Sequence, residues 1–162
     1  MRWWRRQGLA LIALVVAAVA AAGVHVWLDV LPSSEAEQPT VVDVERRGEI
    51  AGQTIAVDTV RWDEFDAPAG SRTLSVAMRS TGGADATRCG AFTLAEIEGS
   101  RVWLGAHRDV DVPSDAGEQS CLEESLSYDI LAVFLLPDDA TGPFSLTIPD
   151  LDDRMIRFVV EP

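Results

Sequence analysis

Residues 9–28, LALIALVVAAVAAAGVHVWL, form a run of twenty residues with no formal charge when His25 is neutral. At about 1.5 Å rise per residue a helix of that length covers about 30 Å, the thickness of a bilayer's hydrocarbon core. Arg2, Arg5 and Arg6 precede the run, and Asp29, Glu35 and Glu37 lie beyond it. Basic flanks stay on the cytoplasmic side, so residues 1–8 are expected inside and the C-terminal bulk outside. Trp3 and Trp4 on one flank and Trp27 on the other suit the two membrane interfaces, where amphipathic rings collect. A cleaved signal peptide is the rival reading, with Ala20-Ala21-Ala22 before Gly23 as its processing site. The apolar run continues through Leu28, beyond the roughly 7–15 residues of a signal-peptide core, and this favours a retained signal anchor over 9–28. The adjacent Arg5 and Arg6 also permit a twin-arginine reading.

Behind the run, residues 29–40 (DVLPSSEAEQPT) are polar, hold two prolines and lack periodicity. They read as a tether that, fully extended, keeps the C-terminal domain within about 40 Å of the bilayer. From residue 41 to 162 the pattern changes to short alternating runs between turn residues: VVDVERR (41–47), QTIAVDTVRW (53–62), RTLSVAMR (72–79), AFTLAEIE (91–98), RVWLGA (101–106), SYDILAVFLL (127–136), FSLTI (144–148) and RMIRFVVE (154–161). Ile55, Val57 and Thr59 are expected on one face of the second run, and Leu74, Val76 and Met78 on one face of the third. About seven or eight strands without room for crossover helices predict an all-β domain, an immunoglobulin-like antiparallel β-sandwich behind one N-terminal transmembrane helix. A small closed barrel is the alternative. Trp62, Phe92, Trp103, Phe134, Phe144 and Phe158 are its expected large core members, with Trp62 also placeable at the rim beside Asp63 and Glu64.

The chain has 13 arginines, no lysine and 26 acidic residues, a formal net charge of -13. Nonspecific nucleic-acid binding needs a basic field, so nucleic acid is not an expected partner. Cys89 and Cys121 are the only thiols, both in the domain expected outside the cell, where disulfides form; a bond between them is the first reading, and a reactive thiol pair or a metal site the second. Enzyme chemistry is poorly supplied. Of two histidines, His25 is in the apolar run and His107 ends a strand, and no G-x-S-x-G, Walker, G-x-G-x-x-G or H-E-x-x-H sequence occurs. No catalytic residue and no cofactor is expected. Acidic turns raise calcium as a ligand, with Asp150, Asp152 and Asp153 as candidates, although DLDDRM lacks the glycine of a calcium-binding EF-hand loop. Solvated surface charge is the other reading of the same turns.

GSRTLSVAMRSTGGADAT (70–87), FTLAEIEGSRVW (92–103), LAVFLLPDD (131–139) and FSLTI (144–148) resemble strands and hairpins of the DUF4352-type exported immunoglobulin-like domains of Gram-positive bacteria, a family of unknown function. The resemblance covers most of residues 50–160 and implies a binding, structural or accessory module at the cell surface. It carries over no active residue. The expected function is therefore noncatalytic: a single-pass plasma-membrane protein that displays an acidic domain to an envelope or membrane protein, its bilayer contact being 9–28. An extracytoplasmic ligand- or calcium-binding sensor that acts through a membrane partner is the alternative.

Overall fold

The computed structural model describes Gly8, Val24 and residues 14–20, 40–123, 126–152 and 154–162. By contacts the chain divides into two units, Met1–Gln38 and Pro39–Pro162. In the first unit residues 14–20 (LVVAAVA) are helical and every one of them is exposed. Among the described residues no helix is long and apolar enough to cross a membrane. The residues assigned from sequence to topology and interface, Arg2, Arg5, Arg6, Trp3, Trp4 and Trp27, lie outside the described residues, as does Asp153.

The second unit is a two-sheet β-sandwich of nine described strands: β1 (Thr40–Val44), β2 (Arg47–Ile50), β3 (Gln53–Trp62), β4 (Ser71–Gly82), β5 (Thr93–Glu96), β6 (Val102–Leu104), β7 (Ser127–Pro137), β8 (Phe144–Pro149) and β9 (Arg154–Val160). One sheet has five strands in the order β1-β9-β8-β5-β6, the other four in the order β2-β3-β4-β7. Two details correct the expectation of seven or eight antiparallel strands. The run VVDVERR is two strands, because the chain bends at Glu45 and Arg46 and passes from one sheet to the other. Gly48 permits that crossing: a Cβ there would meet Ile156 and Val44 at 3.1 Å. The second detail is that β1 runs parallel to β9, pairing Val42 with Ile156 and Val44 with Phe158. Only two residues separate β1 from β2, so the direction of β1 is set by that crossing and not by a hairpin with β9.

Period-two alternation sets the core. Leu74, Val76 and Met78 of β4, Leu146 and Ile148 of β8, and Ile156, Phe158 and Val160 of β9 are buried, joined by Phe134 and Phe144. In β3 the alternation breaks. A β-bulge falls between Val57 and Thr59, so Asp58 is an extra residue, Val60 pairs with Val76, and Thr59 is exposed instead of inward. Trp62 thereby enters the inward phase and packs at the edge of the core.

β7 ends its sheet, yet Leu131 and Val133 on its outer side are buried like Ile130 and Phe134. The connection before it explains this. Ala106 and Val110 cover that outer side with Phe65 and Val112, forming a second small apolar cluster. The same connection closes the strand's free edge: Ala106 N–H donates to the Val133 carbonyl at 2.7 Å, Glu118 N–H to Asp129 and Leu131 N–H to Glu118, both at 2.9 Å. An exposed edge of this length would otherwise be a template for foreign strands. Gly117, at φ 140°, lets the strap lie this close, since a Cβ would stand 3.2 Å from the Leu131 nitrogen.

Candidate functional site

At the end of the sandwich where β3, β5, β7 and β9 finish, Phe144 stands between two tryptophans. Its ring is 5.9 Å from Trp62 and 5.9 Å from Trp103, edge-on to both at 75° and 85°. Such T-shaped pairs bring the positive ring edge to the negative ring face. Each tryptophan also carries an arginine, Arg72 at 4.3 Å from Trp62 and Arg101 at 5.6 Å from Trp103. Carboxylates fix both guanidinium groups. Arg72 donates to Asp63 at 2.7 Å, and Asp63 reaches it from a left-handed backbone of φ 54°. Arg101 donates to Glu96 at 2.8 Å and to Asp139 at 2.9 Å.

The hydrogen bonds with Arg72 hold the Asp63 carboxyl below its ordinary range, and those with Arg101 do the same for Glu96. Both arginines are raised in turn, chiefly by the same bonds. The turn carrying Ala140 to Pro143 borders two shallow clefts of about 200 and 360 Å³. Of the charged residues lining these clefts, Glu96 is paired with Arg101 and Arg72 with Asp63, while Glu98 and Glu161 are exposed. This end presents the partly buried Trp62 and Trp103 beside acidic residues.

The opposite end holds the predicted cysteines. Cys89 and Cys121 are bonded, with Cα atoms 5.2 Å apart, and both are buried in the main core. Beside them Gln53, only 2% exposed, makes every hydrogen bond an amide side chain can make. Its nitrogen donates to the carbonyls of Thr87 at 2.6 Å and Leu122 at 2.8 Å, while its oxygen accepts from the hydroxyls of Ser80 at 2.7 Å and Tyr128. Gln53 is not among the residues expected from sequence to matter, although its position two residues before Ile55 puts it in the inward phase. A polar residue in an apolar phase was the available signal.

Of the calcium candidates, Asp150 is turned inward. Its Oδ1 accepts from the backbone N–H of Asp152 at 2.8 Å and of Arg154 at 2.9 Å, and its Oδ2 from the Arg154 guanidinium at 2.8 Å. Burial pushes this carboxyl up, but the N–H donors of Arg154 and Asp152 and the Arg154 charge outweigh it, and the net shift is downward. A carboxylate already occupied by N–H donors and a cation has little left to offer a calcium ion. Asp152 is exposed beside it. Among the described residues, no three His, Cys, Asp or Glu side chains converge as a metal site.

His107 lies in a cleft of about 420 Å³ walled by Phe92, Leu104 and Leu131, with Arg108 and Asp109 as its charged neighbours. Its Nδ1 is buried without a hydrogen-bond partner among the described residues, and burial lowers its pKa. In a catalytic triad the imidazole is oriented through Nδ1 by a carboxylate, and His107 has no such bond among the described residues.

No family model matches the chain. No curated protein matches it either. A solved structure similar in outline is an uncharacterised β-sandwich protein from Clostridium difficile 630, 9% identical, with a TM-score of 0.47 over 78% of this chain and 97% of that one. The β-sandwich assignment rests on the chain's own two sheets.

Proposed function

We propose that the chain is a membrane-anchored module that presents its acidic β-sandwich outside the cell for noncatalytic contacts with envelope or membrane proteins. One observation carries the reading: the seven described residues 14–20 of the apolar run form a helix whose every side chain is exposed. A helix apolar on all sides needs either a protein core or a lipid phase around it. The uncharged run of 9–28 has the length a bilayer requires, and the arginines before it set the orientation. β1 begins at Thr40, which leaves a short polar tether between Leu28 and the sandwich.

The finer reading of the fold is immunoglobulin-like, akin to the DUF4352-type domains. The arrangement β3-β4-β7 on one sheet against β5-β8-β9 on the other corresponds to the A-B-E and C-F-G strands of that fold. The connection between β6 and β7 replaces strand D with the strap over β7. In sandwiches of this kind the end loops make contacts, and the paired Arg–Trp relief around Phe144 suits such use.

External protease applied to intact protoplasts tests the proposal. The 41–162 domain should be digested while a cytoplasmic control survives, and the chain should remain with the membrane after an alkaline wash with Met1 to Arg6 still attached. Survival of the domain, or a mature N-terminus at Gly23, would overturn the orientation or the anchor.

A further inference from the structure

Among the described residues, two buried side-chain polar atoms have no hydrogen-bond partner, the Ser75 hydroxyl and His107 Nδ1. Both lie where residues 106–118 strap the outer side of β7. Ser75 stands opposite Val133 in the β4–β7 register, and Val133 is covered on its outer side by Ala106 and Val110 of the strap. His107 directly follows Ala106, whose N–H donates to the Val133 carbonyl at 2.7 Å. Buried polar groups are nearly always paired, and a layer that leaves two of them orphaned is held less firmly than the core beneath it. The strap's two ends are also held unequally. Past the far end, Cys121 is bonded to Cys89, and Leu122 accepts from Gln53 at 2.8 Å and donates to Tyr128 at 2.7 Å. The near end has the Ala106 bond and apolar contacts.

A neutral imidazole tolerates one buried, unpartnered ring nitrogen. An imidazolium does not, because both nitrogens then carry N–H groups and the charge is short of water. The residues that reach the His107 cleft from β6, from β7 and from the segment before β5, among them Leu104, Leu131 and Phe92, carry no charge. The charged groups lining it are Arg108 and Asp109 of the strap itself, both exposed. We propose that the strap is a pH-sensitive cover, closed over β7 on a neutral His107 and released when that imidazole takes a proton. Burial lowers the pKa of His107 in the closed strap. In the open strap the ring meets water and titrates near the ordinary value of about 6.5. Closure is therefore fullest above that value and weakens as pH falls toward the lower, closed-strap one. Release frees the Val133 carbonyl and bares Leu131 and Val133, an edge with which an extended chain can pair. The device needs no membrane anchor.

Hydrogen exchange of the full chain in detergent micelles, read at single amides and corrected for intrinsic rates, tests the proposal. The Ala106 and Asp109 amides, which donate to Val133 and Ala106, should open at least about threefold more at about pH 5 than at about pH 7.5. Amides of β4, enclosed between β3 and β7, should not change. His107→Gln keeps a polar side chain that cannot titrate and should abolish the difference; His107→Leu serves if that variant unfolds. In the wild type, an NMR series should show the His107 imidazole titrating below about 6.5. Equal opening at both pH values, parallel loosening of β4, a pH response retained in the His107 variants, or titration of His107 at or above its ordinary value would each overturn the proposal.

Discussion

The Tyr128 hydroxyl donates to the amide oxygen of Gln53 across 75 positions of chain. The same hydroxyl accepts the backbone N–H of Leu122 at 2.7 Å, next to the bonded Cys121. One buried amide therefore gathers β3, β4, β7 and both loops joined by the disulfide. Buried polar networks confer stability only when complete, because each orphaned member costs the desolvation it has already suffered.

Gln53→Ala should lower unfolding free energy by about 3 kcal/mol or more, since it leaves two carbonyls and two hydroxyls short of partners. Gln53→Glu should be sensitive to pH. Its carboxylate cannot donate to Thr87 and Leu122, and burial would raise its folded pKa above the unfolded value of about 4.3. Stability relative to wild type should then be best below that unfolded value and fall as pH rises toward the folded one. Urea midpoints at pH 4 and pH 7 check the sign; an equal deficit at both would rule out this account of Gln53.

Cys89→Ala and Cys121→Ala should each cost on the order of 3 kcal/mol, the entropy of a loop with sequence separation 32. The double variant should match the singles, because all three remove one bond. Intact mass after alkylation should show free thiols only with reductant present, and additive losses would mean that each sulfur matters for packing alone.

Asp150→Asn should lose about 1 kcal/mol at pH 7, with most of the loss arising at the buried carboxylate because Arg154 is largely exposed and screened. The Asp150 pKa is depressed in the fold. Its contribution is therefore present above the unfolded value of about 3.9 and lost as pH falls through the folded one. Thermal midpoints of wild type and variant should converge below about pH 4. Added calcium should shift neither.

Phe144→Ala should cost about 3–5 kcal/mol, and Phe144→Leu less, because leucine fills the core but gives up both edge-on contacts. Near-ultraviolet circular dichroism should change for Phe144→Leu even where stability is largely kept, as Trp62 and Trp103 lose their common neighbour.

The strands that alternate cleanly, β4, β8 and β9, were legible because each has an inward face that residue spacing alone assigns. β7 was legible as doubly apolar, but the cover over its outer side was not, since Ala106, Val110 and Val112 form a cluster only once the strap has folded back. The parallel β1–β9 pair joins the two ends of the domain, a relation that no local pattern encodes. Cys89 and Cys121 could be paired by elimination and compartment, whereas Arg72 over Trp62 required the bulge that no composition rule announces.

That bulge makes the length of β3 partly independent of its facing. Val57, Thr59 and Val60 already alternate inward, outward, inward against Met78, Ala77 and Val76, with Asp58 looped out between them. Deleting Asp58 would leave every other residue of β3 opposite its present partner, while deleting Arg61 would invert the end of the strand and turn Trp62 to solvent. Among the ten residues of β3, Asp58 marks the place where the chain can shorten by one residue without rewriting the core.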